Sequence, residues 1–108
     1  MWNEEDKMMG LVDAMNNGNA SVPAECPVCH ERSAHYLMHR AQPGSNRGSA
    51  WIWCDVCGSY THFSYLVPDW WKNPAFVEAS MLDSTVEYPH SMEREIDSWV
   101  DALSAGKL

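Results

Sequence analysis

Basic residues are scarce in this chain, and their scarcity bounds the kind of partner it can have. The 108 residues include seven lysines and arginines against fifteen aspartates and glutamates, which gives a formal net charge of −8. A nucleic-acid backbone would repel such a chain overall, so the charge argues against nucleic acid as the partner. The expected partner is a protein with a basic face, because opposite charge steers association.

Long apolar runs are missing as well. No stretch approaches the ~20 apolar residues that a membrane-spanning helix needs. The opening residues, MWNEEDK, have neither the basic start nor the apolar stretch of a secretory signal. We therefore expect a cytoplasmic protein with no membrane partner. The length predicts a single domain, residues 1–108, with a modest core.

Signatures of catalysis are also absent. The sequence has no glycine-rich phosphate loop and no G-x-S-x-G nucleophile motif. The zinc-deaminase pattern fails because no His-x-Glu precedes Cys26. Serine, histidine and aspartate occur, as in any chain, without a spacing that indicates a triad. We predict that the protein is not an enzyme and has no catalytic residues.

What the sequence does contain is two C-x-x-C pairs, which hold all four of its cysteines. Cys26 and Cys29 form the first pair, Cys54 and Cys57 the second, and 24 residues separate the pairs. Two intervening residues let a tight turn direct both sulfurs at one ion, and a hairpin can bring two such turns face to face. We predict that these four cysteines bind a structural Zn2+, with iron as the less favoured ion.

Cysteine pairs and histidines also have other uses in proteins. Four cysteines can form disulfides in three connectivities, although a reducing cytoplasm disfavours them. A thioredoxin-like redox site needs one pair at a helix N-terminus after a strand rather than two pairs. Because four sulfurs fill the cage, the histidines are expected to be ordinary strand and surface residues; they are His30, His35, His39 and His62.

Strand-like alternation surrounds the hairpin between the pairs. Residues 34–41 and 49–53 predict two strands joined by a turn-rich loop, and residues 59–65 predict a third strand. The predicted fold class is α+β, a three-stranded antiparallel ribbon with an N-terminal helix and one or two C-terminal helices. Its regions are a helix and linker (1–25), the ribbon (26–65), and an aromatic loop with the C-terminal helices (66–108).

Helical patterns lie on both sides of the ribbon. Residues 3–16 carry one apolar stripe behind an N-cap at Asn3. Residues 74–82 follow an Asn-Pro start signal, and residues 83–89 read as a connector that is extended at its centre. A last helix is predicted over residues 91–104, with Ser91 as its N-cap and an acidic outer face.

Six tryptophans exceed what a core of this size needs. The adjacent Trp70 and Trp71 could fill the core or anchor an interface, where tryptophan is enriched. Together with nearby acids they form the predicted partner-binding set, which is Asp69, Trp70, Trp71, Glu93, Asp97 and Asp101.

Residues 26–65 resemble a zinc ribbon. The resemblance implies metal ligation by the four cysteines and says little about function, since zinc ribbons serve many roles. The second pair, with Trp53 before it and Gly58 after it, is also similar to the corresponding segment of rubredoxin, whose S4 site holds iron for electron transfer. Rubredoxin usually has glycine after the first pair and proline inside the second, where this chain has His30 and Asp55.

By size, acidity and lack of catalytic groups the chain resembles bacterial immunity proteins of contact-dependent growth inhibition. Such proteins bind a toxin domain and block it. The resemblance implies a cytoplasmic protein-binding module that neutralises a basic toxin. The alternatives are rubredoxin-like electron transfer and, less favoured, nucleic-acid binding through a ribbon in which arginines lie among aromatic residues; these are Arg32, Arg40 and Arg47.

Overall fold

The computed structural model describes residues 11–12, 22–42, 44–83 and 85–106. Their backbone forms a four-stranded antiparallel sheet followed by two C-terminal helices. The α+β class is therefore confirmed. The predicted N-terminal helix, residues 3–16, lies outside the described residues except for Leu11 and Val12. Leu11 is buried in the core.

The sheet has one strand more than predicted. Its strands are β1 (Ala24–Glu25), β2 (Arg32–Arg40), β3 (Arg47–Cys54) and β4 (Tyr60–Leu66), and they pair in that order. The additional strand, β1, pairs with β2 just before the first cysteine, in a segment that was expected to be a linker. Two residues are too few to produce a readable alternation, so the sequence pattern did not reveal it.

Strand β2 is covered on both faces. Residues 33–38 are all buried, whereas a strand with one solvated face would alternate between buried and exposed positions. In the β2–β3 register Ala34 lies opposite Cys54, and His35 lies opposite Trp53. This register places His35 one position away from the second cysteine pair.

The helices begin and end differently from the prediction. Residues 74–82 form isolated turns and a short 3-10 helix, Ala79–Met81, none of whose residues is buried. A short helix without a buried face gains little stability from packing. The Asn-Pro start signal alone was therefore not enough to form the predicted helix over residues 74–82. Helix α1, Glu87–Ser91, instead begins inside the predicted connector and extends two residues beyond it, with Pro89 buried.

Helix α2, Glu93–Ser104, packs against β2 through Ile96, Val100 and Leu103. It begins two residues later than predicted. Ser91 is not its N-cap, because the Ser91 hydroxyl donates to the carbonyl of Tyr88 in α1 at 2.6 Å. Within the described residues, no helix combines the length and apolar character needed to cross a bilayer.

The segment after β4 contacts the end of β2. Its Trp71 side chain is fully buried. The Arg40 guanidinium, at the end of β2, donates to the carbonyls of Trp71 and Pro68 at 2.7 and 2.8 Å. Asn73 pairs with the backbone of Arg40 through both its amide oxygen and its amide nitrogen. These contacts fix the tryptophan loop onto the sheet.

Candidate metal centre

The first cysteine pair lies in a tight turn that we call the first knuckle (residues 26–31). The amide of His30 donates to the carbonyl of Cys26 at 2.9 Å, and the amide of Cys26 donates to the carbonyl of Glu31 at 2.8 Å. The amide of Val28 points at the Cys26 sulfur, 3.4 Å away. His30 has a φ of 66°, a left-handed conformation that is uncommon outside glycine.

The second knuckle (residues 54–59) repeats this backbone pattern. The amide of Gly58 donates to the carbonyl of Cys54 at 3.1 Å, and the amide of Cys54 donates to the carbonyl of Ser59 at 2.9 Å. The amide of Cys57 lies 3.5 Å from the Cys54 sulfur. Gly58 occupies the left-handed position with a φ of 74°. The two turns are therefore related residue by residue.

The sheet brings the two knuckles face to face. The Sγ atoms of all four cysteines lie within 4.8 Å of one another. Across the knuckles, the sulfurs of Cys26 and Cys57 are 3.8 Å apart, and those of Cys29 and Cys54 are 3.6 Å apart. A regular tetrahedron with Zn–S bonds of about 2.3 Å separates its sulfurs by about 3.8 Å. A disulfide would need about 2.05 Å, so the spacing fits one metal ion held by four sulfurs.

The surroundings perturb the thiols unequally. Burial raises the pKa of Cys54, but the amide of Cys57 and the hydroxyl of Ser33 outweigh it and lower that pKa to about 6. Burial raises the pKa of Cys26 to about 12. A bound dication would hold all four cysteines as thiolates, so metal binding should release protons.

Ser33 contacts the centre and was missed by the sequence reasoning. It is 7% exposed, and its Oγ lies 3.0 Å from the Cys54 sulfur and 3.9 Å from the Cys29 sulfur. Its carbonyl accepts the amide of Asp55 at 3.1 Å, which ties the start of β2 to the second knuckle. Only the β2–β3 register could have indicated this position.

A second cluster of ligand-type side chains surrounds His35. The expectation that this histidine is an ordinary strand residue is wrong, because it is only 3% exposed and both ring nitrogens face carboxylates. Its Nδ1 lies 2.8 Å from Asp97 Oδ1. Its Nε2 lies 2.9 Å from Asp55 Oδ2 and 3.3 Å from Glu93 Oε1. Burial lowers the pKa of His35, but Asp97 and the other two acids outweigh it, and the net pKa is raised.

The carboxylates of this cluster are held from several elements. Trp53 Nε1, in β3, donates to Glu93 Oε1 at 2.7 Å. His90 Nε2, in α1, lies 3.0 Å from Asp55 Oδ1. Burial and the neighbouring Asp55 raise the pKa of Glu93. Burial also raises the pKa of Asp55, but Glu93 and His35 outweigh it, and the net pKa of Asp55 is lowered. Two carboxylates therefore converge on one nitrogen of the buried imidazole, and a third faces the other nitrogen.

The predicted partner-binding residues are only partly at the surface. Trp71 is fully buried, so that ring cannot be a surface anchor. Trp70 is half-buried and meets Trp71 edge to face, with the ring centroids 6.0 Å apart. Asp69 is exposed and accepts a hydrogen bond from Asn46 at 2.8 Å. Asp101 is exposed and accepts the amide of Val22 at 3.2 Å.

The acidic outer face predicted for the last helix also needs correction. Glu93 and Asp97 lie one turn apart and face the sheet, where His35 and Trp53 pair with them. The helix surface that does face outward carries a groove of about 590 Å³. Its lining residues are Phe76, Arg94, Glu95, Ser98, Trp99 and Ala102. Phe76 and Trp99 meet there edge to face at 6.2 Å.

Comparison with known proteins returned no match for this chain, whether among protein-family models, curated proteins or solved structures.

Proposed function

We propose that the chain is a cytoplasmic zinc-ribbon protein whose Zn2+ is structural. The spacing of the four sulfurs, 3.6 and 3.8 Å across the knuckles, carries this proposal. A fourfold sulfur cage leaves no open position for water or substrate, which favours a structural over a catalytic ion. Four free cysteines in this arrangement also suit a reducing compartment.

Elemental analysis of the purified chain tests the zinc assignment. We expect one sulfur-bound zinc per chain, and we expect chelation to lower the unfolding temperature strongly, since binding energy of a structural ion is folding energy. The Cys26→Ser variant should lose this ion. A chain without bound metal that stays fully folded after chelation would contradict the proposal.

We further propose that the protein acts as a binding module for a basic protein, in the manner of an immunity protein that neutralises a toxin domain. The support is a net charge of −8 and the apolar groove on α2, where Trp99 lies beside exposed Glu95. Tryptophan is enriched among the residues that anchor interfaces, and the net negative charge of the chain would steer a basic partner, although Arg94 also lines this groove. With Trp71 buried, this groove replaces the tryptophan pair as the proposed contact surface.

Mixing the purified chain with the protein encoded immediately upstream of its gene tests this function. We expect a 1:1 complex by size-exclusion chromatography and light scattering, and loss of toxicity on co-expression. Trp99→Ala and Glu95→Lys should weaken the complex by more than tenfold in Kd. Glu31→Lys, an equal charge change in the first knuckle, is the matched control and should weaken it less. Absence of a complex would remove the immunity hypothesis.

Electron transfer by an iron-loaded cage is the second candidate. The observation that favours it is the exposure of Cys57, which brings one sulfur of the cage to the surface. A purified protein that is red and undergoes reversible one-electron reduction would support this function. A colourless protein that contains only zinc would exclude it.

Nucleic-acid binding through the ribbon is not favoured. Of the three arginines that motivated it, Arg40 directs its guanidinium at the carbonyls of Trp71 and Pro68. That charge is committed to the fold and is not presented to a phosphate. Arg32 and Arg47 are exposed, but two charges do not offset the acidity of the chain.

A further inference from the structure

His35, Asp55 and Glu93 place three metal-type ligand atoms close together, outside the sulfur cage. One nitrogen of the imidazole and one oxygen of each carboxylate all lie within 4.8 Å of one another. His90 contacts the second oxygen of Asp55, and its side chain is 59% exposed. We propose that these residues form a second metal site, for a divalent transition-metal ion of the Zn2+ class, with His90 as the fourth ligand.

The spacing of the ligand atoms supports this site. Zinc bonds to nitrogen and oxygen of about 2.0–2.1 Å place neighbouring ligand atoms about 2.9 Å apart at right angles and about 3.4 Å apart in a tetrahedron. The His35 Nε2 atom lies 2.9 Å from Asp55 Oδ2 and 3.3 Å from Glu93 Oε1. Both separations fall within the range that one shared ion would produce.

The groups that hydrogen-bond to the proposed ligands are of the kind found around bound metal ions. A metal-binding histidine usually donates its other ring N–H to a carboxylate, which fixes the tautomer. Asp97 lies where it could accept this proton from His35, 2.8 Å from Nδ1, which would leave the Nε2 lone pair for an ion between Asp55 and Glu93. Trp53 in turn donates to Glu93 and orients that carboxylate. Neither Asp97 nor Trp53 belongs to the proposed ligand set.

The charge of the cluster also favours a cation. Without an ion, one imidazole faces Asp55, Glu93 and Asp97, whose side chains are 32%, 23% and 19% exposed. Even a doubly protonated His35 leaves this group net negative, and two converging carboxylates repel unless a proton or a cation lies between them. A divalent ion would neutralise the charges of the Asp55 and Glu93 carboxylates. Imidazole with carboxylates suits Zn2+, Ni2+ and Co2+, whereas the sulfur cage selects thiophilic ions.

The site shares one element with the cage. Asp55 lies between Cys54 and Cys57 in the second knuckle, so an ion at the second site would tie that knuckle to β2 and α2. The second site nevertheless uses no cysteine. Its occupation and that of the cage can therefore be measured separately.

Metal content in zinc-containing buffer tests the proposal. After gel filtration we expect two zinc ions per wild-type chain and one in Glu93→Gln and in His90→Asn. The His90 variant changes an exposed side chain and should fold. His30→Asn is the matched control, because His30 is an exposed knuckle histidine beside a carboxylate, Glu25, at 3.5 Å. It should keep both ions.

Cobalt substitution identifies which ligands hold the second ion. The first equivalent of Co2+ should give intense thiolate-to-metal charge-transfer absorption. The second should add only weak visible bands, because its ligands contain no sulfur, and those bands should be absent in Glu93→Gln. One ion per wild-type chain, or a second ion that Glu93→Gln and His90→Asn retain, would overturn the proposal and leave the cluster as an ion pair that clasps α2 to the sheet.

Discussion

The two knuckles share one backbone conformation but have different surroundings. In the first, Cys26 is fully buried and belongs to the hydrophobic core. In the second, Cys57 is exposed, and the neighbouring Val56 is 64% exposed. Each knuckle nevertheless contributes one buried sulfur, from Cys26 or Cys54, whereas the other sulfur is half-buried in the first knuckle (Cys29) and exposed in the second (Cys57).

The position after the first cysteine shows the same contrast. In the first knuckle it holds Pro27, whose ring restricts the turn but has no polar group to offer. In the second it holds Asp55, which reaches His35 in β2 and His90 in α1. Both halves of the cage thus have a buried first cysteine, and the second half adds polar contacts to β2 and α1. The two halves should respond differently to equivalent changes.

The largest difference is expected between the two cysteines that face each other across the cage. Cys26→Ser should abolish zinc binding and destabilise the protein by about 4 kcal/mol or more, because it removes a buried ligand from a structural ion. Cys57→Ser should keep weaker zinc binding, since water can reach the rim and complete the coordination. Chemical denaturation together with zinc content measures both. Equal losses in the two variants would mean that burial does not distinguish these two ligands.

The second effect concerns the contact between Asp97 of α2 and His35 of β2. Asp97→Asn leaves His35 without the carboxylate on Nδ1 and should cost about 1.5–3 kcal/mol, the usual range for a hydrogen bond to a charged group. Glu95→Gln, on the exposed face of the same helix, should change stability by less than about 0.5 kcal/mol. Urea denaturation at saturating zinc measures the pair. If both variants are equally stable, the acid–histidine contact does not hold the helix to the sheet.

Ser33 offers a smaller test of how each knuckle is supported. Ser33→Ala removes the hydroxyl 3.0 Å from the Cys54 sulfur and should weaken zinc affinity by about tenfold, as loss of a group that orients a ligand commonly does. Ser59→Ala removes the hydroxyl 3.3 Å from the exposed Cys57 sulfur and should have less effect, since water can replace it. Competition with a zinc-chelating dye gives both affinities. A larger loss for Ser59→Ala would reverse the expected order.

The cysteine cluster could be predicted because its signal is local. The spacing within each pair selects a tight turn, and the turn-rich loop between the pairs selects a hairpin. Together these predict that the four sulfurs lie close together, without further knowledge of the fold. Strand β1 could not be predicted in the same way, because two residues show no alternation, and pairing with β2 alone defines them.

The cluster around His35 could not be predicted because it depends on contacts between distant parts of the chain. Glu93 and Asp97 are four residues apart, so the sequence places them on one face of α2, but hydrophobic periodicity assigns acids to solvent. In the structure both acids instead face the buried His35 on β2. Only the packing of α2 against β2 brings the charges together. Trp71 shows the converse: of the two uses left open for it, filling the core or anchoring an interface, it fills the core.

The smallest expected effects come from the residues that close the two turns. Gly58 has a positive φ, and a Cβ added there would meet no atom within 4 Å, so Gly58→Ala should cost only the left-handed penalty of about 1 kcal/mol. His30 already bears that penalty, and His30→Gly should therefore stabilise the first knuckle, by less than about 1 kcal/mol because glycine also loses more freedom on folding. Thermal unfolding at saturating zinc should show opposite signs for the two variants. Destabilisation by His30→Gly would mean that the side chain, through its contact with Glu25, contributes more than its strained backbone costs.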